Sequence, residues 1–186
     1  MEELDKLIKD CAAGKQQAQA SLYHMFSPKM YGVCLRYAKN ASEAEDSLQE
    51  GFLKVFTNIK SFRNEGSLEG WIRRIMVNVS LEKCRKQQLM LPVEDISKFD
   101  QGNYSEDIIS NISANDLLEI IRELPPRYKM VFNLYVMEGM SHQEIAKEMS
   151  ITEGTSKSNL ARARGILQMK VNHMFGENRV KMSTKA

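Results

Sequence analysis

The chain has 186 residues, 42% hydrophobic and 27% charged, a balance that excludes a disordered polymer and suits one or two small globular domains. Ten Gly and four Pro stand against plentiful Leu, Ile, Met, Ala, Lys and Glu, which favours helices because straight-chain residues lose little rotamer freedom there. The net charge of +2 conceals blocks: residues 1–88 carry 14 basic and 11 acidic side chains, residues 89–112 one and five, residues 113–186 eleven and eight.

No apolar run approaches the roughly 18 residues a membrane span needs. The acidic, amphipathic N-terminus MEELDKLIKD is unlike a secretion signal, so a cytoplasmic protein without membrane insertion is expected. Cys11, Cys34 and Cys84 are odd in number and lack CxxC spacing, as expected of reduced cysteines that pack.

From Gly14 onward the first block reads as successive amphipathic helices. One runs from about Lys15 to Lys39 with Leu22, Met25, Phe26, Met30, Val33, Cys34 and Tyr37 as its apolar positions, kinked or divided at Pro28. The next is expected to be capped by Ser42 with Glu45 reaching back, and its stripe is Leu48, Phe52, Val55 and Ile59. Asp46, Glu50 and Lys54 fall on the opposite side. A loop follows over residues 60–67, then a helix from Leu68 with Ile72, Ile75, Met76 and Val79 inward. Residues 89–112, with Pro92, Gly102 and five acids, read as a flexible acidic linker.

The second block begins with a helix at Asn115–Glu123, capped by Ser113. Pro125-Pro126 interrupts it, and proline suits the first turn of the next helix, Arg127–Met137, whose inward residues are Met130, Val131, Leu134 and Tyr135. Gly139 ends that helix. Ser141 with Glu144 forms a capping box for a short helix whose inner side is Ile145, Ala146 and Met149; Thr152 caps the last helix, to about Phe175.

Helix, three-residue turn, helix is the spacing that braces one helix on a DNA backbone while the next enters the major groove. Ser141–Met149 would brace and Glu153 onward would read, with Leu160, Ala163 and Leu167 buried on the same line as Ser156. Thr155, Ser158, Asn159 and Arg162 are expected to face outward, flanked by Lys157 and Arg164. Four basic residues oppose one acid from Glu153 to Lys170. Arg and Lys suit phosphate or guanine, and Asn suits adenine. A plain amphipathic helix with a solvated basic face is the competing account.

The wording of the segments goes further. Met140-Ser141-His142-Gln143-Glu144-Ile145-Ala146 followed by Ile151 to Arg164, with the lead-in Leu124-Pro125-Pro126-Arg127, resembles region 4 of the sigma-70 family. Residues 44–56 and 70–78 resemble region 2 of the same family. With no room for a third domain between them, the chain is similar to the extracytoplasmic-function (ECF) type. The resemblance implies an all-α fold of two small helical domains: a region 2 bundle over 1–88 and a region 4 helix-turn-helix over 113–175, joined by the flexible linker 89–112, with a tail over 176–186. It implies a sigma factor that directs promoter-specific initiation by binding core RNA polymerase, melting the −10 element through region 2 and reading the −35 element through region 4.

The partners so implied are promoter DNA and core polymerase, through its β′ clamp helices and β flap. An anti-sigma factor is also common in such proteins, and nothing in these residues identifies one. Asp46, Gln49, Glu50 and Lys54 are the expected polymerase-binding positions. Phe62, Arg63, Asn64, Ser67, Trp71, Arg73, Arg74 and Asn78 supply aromatic, amide and basic groups for an unstacked −10 strand, with Asn64 first choice for the flipped base and Trp71 more often a core residue. Thr155, Lys157, Ser158, Asn159, Arg162 and Arg164 are the −35 set.

Two departures stand out. Ser156 occupies a position that is usually Val, so looser packing is expected, and Asn159 stands where Arg is common. No catalytic residue, metal site or cofactor is expected. A stand-alone helix-turn-helix regulator and a polymerase adaptor without DNA binding remain rival readings. For the linker, threading the polymerase's RNA path by Glu94, Asp95, Asp100, Glu106 and Asp107 competes with a solvated spacer.

Overall fold

The computed structural model describes residues 2–88 and 114–183, so the acidic linker and the Ser113 cap lie outside the described residues. The chain divides into two compact units, Met1–Lys86 and Gln87–Ala186. All regular structure among the described residues is helical, and no described helix is long and apolar enough to cross a membrane.

The first unit contains α1 (Glu2–Ala12), α2 (Gln16–Tyr37), α3 (Ala41–Asn58), a single 3-10 turn (Ile59–Ser61) and α4 (Leu68–Gln88). Helix α1 belongs to the stretch before Gly14, where no helix was expected. It stops at Gly14, whose φ of +77° suits glycine, and it packs on α2 and on the 3-10 turn with Cys11 buried. Helix α2 is neither divided nor ended at Pro28. A proline inside a helix costs about 3 kcal/mol, and burial of Leu22, Phe26, Met30, Val33 and Cys34 along the same helix offsets it. Met25, expected inward, is 56% exposed. Burial also pushes the Cys34 thiol up to about 11, so it stays protonated and inert.

Helix α3 is capped at Asn40, two residues before the expected cap Ser42. Asn40 accepts a hydrogen bond from the Glu43 amide at 2.8 Å while the Glu43 carboxylate accepts from the Lys39 amide at 2.9 Å. Ala44, in the first turn of α3, is fully buried. Helices α3 and α4 meet closely at Gly51, where a Cβ would overlap the Met76 sulfur.

The second unit contains α5 (Ala114–Arg122), α6 (Pro126–Phe132) continued by a π-helical turn (Asn133–Met137), α7 (His142–Met149) and α8 (Glu153–Ser183). Helices α5, α6 and α7 all pack on α8, and α5, the turn after it, α6 and α8 share a core of Ile121, Leu124, Tyr128, Ala163, Ile166, Leu167 and Val171. The proline at the start of α6 behaves as expected. Its continuation does not. The π turn takes more residues per revolution than an α-helix, so Leu134 stays fully buried while Tyr135, expected inward, is 36% exposed beside Val136 at 45%. Gly139 follows with φ +69°. Helix α8 passes the expected end at Phe175 and runs into the stretch expected as a tail.

Candidate polymerase and promoter interfaces

On α3, Asp46 and Gln49 are exposed, as their spacing opposite the apolar stripe requires. Glu50 and Lys54 differ, because α4 lies along that edge. Lys54 Nζ sits 2.6 Å from Glu82 and 3.6 Å from Glu50, and Lys83 lies 3.5 Å from Glu50. The hydrogen bond to Lys54 holds the Glu82 carboxyl below its ordinary range, and the same bond raises Lys54. Glu50 and Lys54 therefore tie α3 to α4 and are half-buried, where their spacing opposite the apolar stripe had placed them on the exposed side. The sequence pattern also missed Leu53. It is 68% exposed, one helical turn from Gln49, and nothing in the stripe count marks it because its neighbours Phe52 and Val55 take the core. Beside it, a groove of about 410 Å³ between α2 and α3 is lined by Tyr23, Ser27, Pro28 and Tyr31 on one side and Glu45, Leu48 and Gln49 on the other.

The loop before α4 is built from local bonds. Ser67 caps α4 through the Gly70 amide at 3.0 Å, so its hydroxyl has an intramolecular duty that its sequence context did not reveal. Asn64 adopts φ 59°, a left-handed conformation that asparagine tolerates; it is exposed, and its amide lies 3.5 Å from the Asp5 carboxylate on α1. Phe62 and Trp71 are both half-buried, with ring centroids 5.6 Å apart at 53°. Trp71, Arg74 and Asn78 fall on one line of α4 by their spacing of three and seven, and Arg74 and Asn78 are exposed. Arg73 is half-buried and already engaged within the fold, which separates it from Arg74 and from exposed Arg63.

In the second unit the helix-turn-helix has the expected caps. The Ser141 hydroxyl accepts from the Glu144 amide and the Glu144 carboxylate accepts from the Ser141 amide at 2.8 Å. Thr152 accepts from the Thr155 amide at 3.1 Å. The turn passes through Ser150 at φ 53°, again left-handed.

On α8, Lys157, Ser158 and Arg164 are exposed and Thr155 and Arg162 half-buried. The Thr155 hydroxyl is paired with Thr152 at 2.8 Å, and Arg162 donates to the Tyr128 hydroxyl at 3.3 Å. Asn159 is not outward. It is only 6% exposed, because three helices pack on α8 and the buried sector widens past the Leu160–Ala163–Leu167 line to include Asn159 and Ile166. Ser156 is fully buried as expected, and the looseness expected of a Val-to-Ser departure is answered by a polar partner: the His142 ring nitrogen lies 2.9 Å from its hydroxyl. His142 in turn stacks on Tyr135 at 4.7 Å and 24°, and the Arg164 guanidinium sits 5.8 Å from the Tyr135 ring centroid.

Residues 22–89 match the family description "Sigma-70 region 2" and residues 114–167 match "Sigma-70, region 4", together more than half of the chain. The chain belongs to the sigma-70 family, and its function is that of an RNA polymerase sigma factor in promoter-specific transcription initiation. Among its relatives it is 29% identical over 177 residues to the ECF RNA polymerase sigma factor SigW of Bacillus subtilis, covering 89% of this chain and 95% of that one. It is 28% identical over 177 residues to the ECF RNA polymerase sigma-E factor of Haemophilus influenzae, covering 89% and 93%. The sigma factor RpoE of Bartonella quintana, solved with the anti-sigma factor NepR, shares the fold at a TM-score of 0.50 and 20% identity over 81% of this chain and 94% of that one.

Proposed function

We propose that the first unit docks on the β′ clamp helices of core polymerase through Asp46, Gln49 and Leu53, with Glu50 and Lys54 as the rim that α4 partly occupies. What supports this is an apolar side chain exposed to 68% amid acid and amide groups, the composition of an interface anchor with a polar surround. The −10 strand is melted along Phe62, Trp71, Arg74 and Asn78, with Asn64 and Arg63 on the adjoining loop taking an unstacked base and a phosphate. Arg73 and Ser67 support that surface from within. The second unit docks on the β flap and reads the −35 element with Lys157, Ser158 and Arg164, Arg162 and Thr155 lying at the edge. Asn159, being buried, shapes the reader and does not touch a base. The chain works in the cytoplasm and contributes position and strand opening, the catalytic step belonging to the polymerase.

The observation that carries this reading is the exposed Lys157–Ser158–Arg164 edge on a doubly capped helix-turn-helix, in the same chain as an exposed docking helix. Run-off transcription with purified core polymerase on fragmented genomic DNA tests it: promoter-specific products are expected only when this chain is added. Products lost on Lys157→Ala with Arg164→Ala, while polymerase binding persists, separate DNA reading from docking. A duplex-binding protein indifferent to core polymerase would be the stand-alone regulator instead. An anti-sigma partner is part of the proposal, in keeping with the complex in which the Bartonella quintana relative was solved.

A further inference from the structure

Four side chains from three consecutive elements of the second unit form one contact series. Ser156 on α8 is fully buried, with its hydroxyl 2.9 Å from the His142 ring at the start of α7. The His142 ring stacks on Tyr135 of the π turn at 4.7 Å, and Arg164, back on α8, has its guanidinium 5.8 Å from the Tyr135 ring centroid. The series begins and ends on the reader helix, eight residues apart. Its only exposed groups are Tyr135 and Arg164.

A free arginine on a helix surface samples many rotamers, and ordering it on DNA has an entropic cost. A ring beside the guanidinium restricts that sampling before DNA arrives and leaves the N–H fork free for phosphate or guanine. The ring is itself restrained. Tyr135 is turned outward by the π geometry and backed by His142, and His142 is held by a hydroxyl that a valine would not supply.

We propose that Tyr135 is a positioning residue for DNA recognition: with His142 and Ser156 behind it, it pre-orders Arg164 on the DNA-reading edge of α8. The proposal rests on the reading of Arg164 as a −35 contact. The π turn is thus part of the DNA-recognition apparatus, although it lies outside the two helices that a helix-turn-helix consists of.

The test uses holoenzyme made from the full chain and core polymerase. A duplex library randomised across the −35 region is selected with the wild type, and the enriched duplex is then used to measure affinity against salt. Arg164→Ala is expected to weaken binding and lower the slope of log affinity against log salt by about 1. Tyr135→Leu, which keeps an apolar group but removes the ring, is expected to weaken binding about 3- to 5-fold. Tyr135→Phe stays within about twofold of wild type because the ring face remains. In the Arg164→Ala background, Tyr135→Leu adds less than about twofold, since its effect passes through the arginine. Helical circular dichroism of the variants verifies that a surface change has left the fold intact. Equal losses from Tyr135→Leu with and without Arg164, or no loss with Arg164 present, would overturn the positioning role while leaving the −35 reading standing. If the wild-type holoenzyme enriches no sequence, it is the −35 reading that fails.

Discussion

His142 and Ser156, fourteen residues apart, face each other across the turn of the helix-turn-helix with 2.9 Å between ring nitrogen and hydroxyl. The contact joins the bracing helix to the reading helix at a point where the hydroxyl is wholly inaccessible to water. Either atom's lone pair is matched by the other's proton, with the direction set by the imidazole tautomer. A buried hydroxyl without such a partner would cost about 1–3 kcal/mol.

This pair gives the first prediction. His142→Ala and Ser156→Ala each destabilise the chain, and the double variant is less destabilised than their sum, by about 1 kcal/mol. Urea denaturation of the four forms measures the coupling. Strict additivity would mean the contact contributes nothing to stability.

Gly51 carries the second. A Cβ there meets the sulfur and methyl of Met76, which is itself fully buried. Gly51→Ala is expected to destabilise the first unit by about 1–3 kcal/mol, since overpacking a filled core forces side chains off their rotamers. The same substitution in a Met76→Ala background costs less, because the obstructing atoms are gone. Thermal melts followed in the far ultraviolet give both values.

The Lys54–Glu82 pair has a signed pH dependence. Glu82 is lowered in the fold, chiefly by its hydrogen bond from Lys54, so its contribution is complete above the unfolded carboxylate value of about 4.3. It is lost as pH falls through the lower folded value. Lys54 is raised, chiefly by the same bond, and its contribution is complete below about 10.4 and lost as pH rises through the higher folded value. The pair therefore contributes fully between roughly pH 5 and 10. With both side chains about half exposed, it is worth no more than about 1 kcal/mol. Lys54→Met should return the Glu82 titration, followed by carboxyl-carbon NMR, toward the ordinary glutamate value.

Leu53 supplies the fourth prediction, on docking. Leu53→Asp removes an exposed apolar anchor, and binding to purified core polymerase should weaken about tenfold or more, as truncation of a central interface residue does. Stability should change by less than about 0.5 kcal/mol, because the side chain is 68% exposed. Labelled-chain anisotropy against core polymerase reads the first effect and a thermal melt the second. Unchanged affinity would remove Leu53 from the docking surface.

Much of the helical framework was legible in the residues, because capping and periodicity are local. Ser141 with Glu144, Thr152, the proline pair before Arg127 and the glycine at 139 all act within a few positions of the structure they create. The cap of α3 was misplaced: the pattern was read at Ser42–Glu45, and the cap forms two residues earlier, at Asn40–Glu43. Pro28 carried a strong local signal to break α2, yet the apolar positions on both sides of it hold the helix together.

The helix-turn-helix between Ser141 and Val171 and the family motifs were settled by sequence, since they depend on residue type at fixed spacing along one chain. Which of its polar residues face outward was decided only by packing. Three helices against α8 widened its buried sector and took Asn159 inside, the π turn swung Tyr135 out, and α4 drew Glu50 and Lys54 into ion pairs. Each of these outcomes depends on a neighbour distant in sequence, and helical spacing assigns a residue's direction without telling what stands in its way.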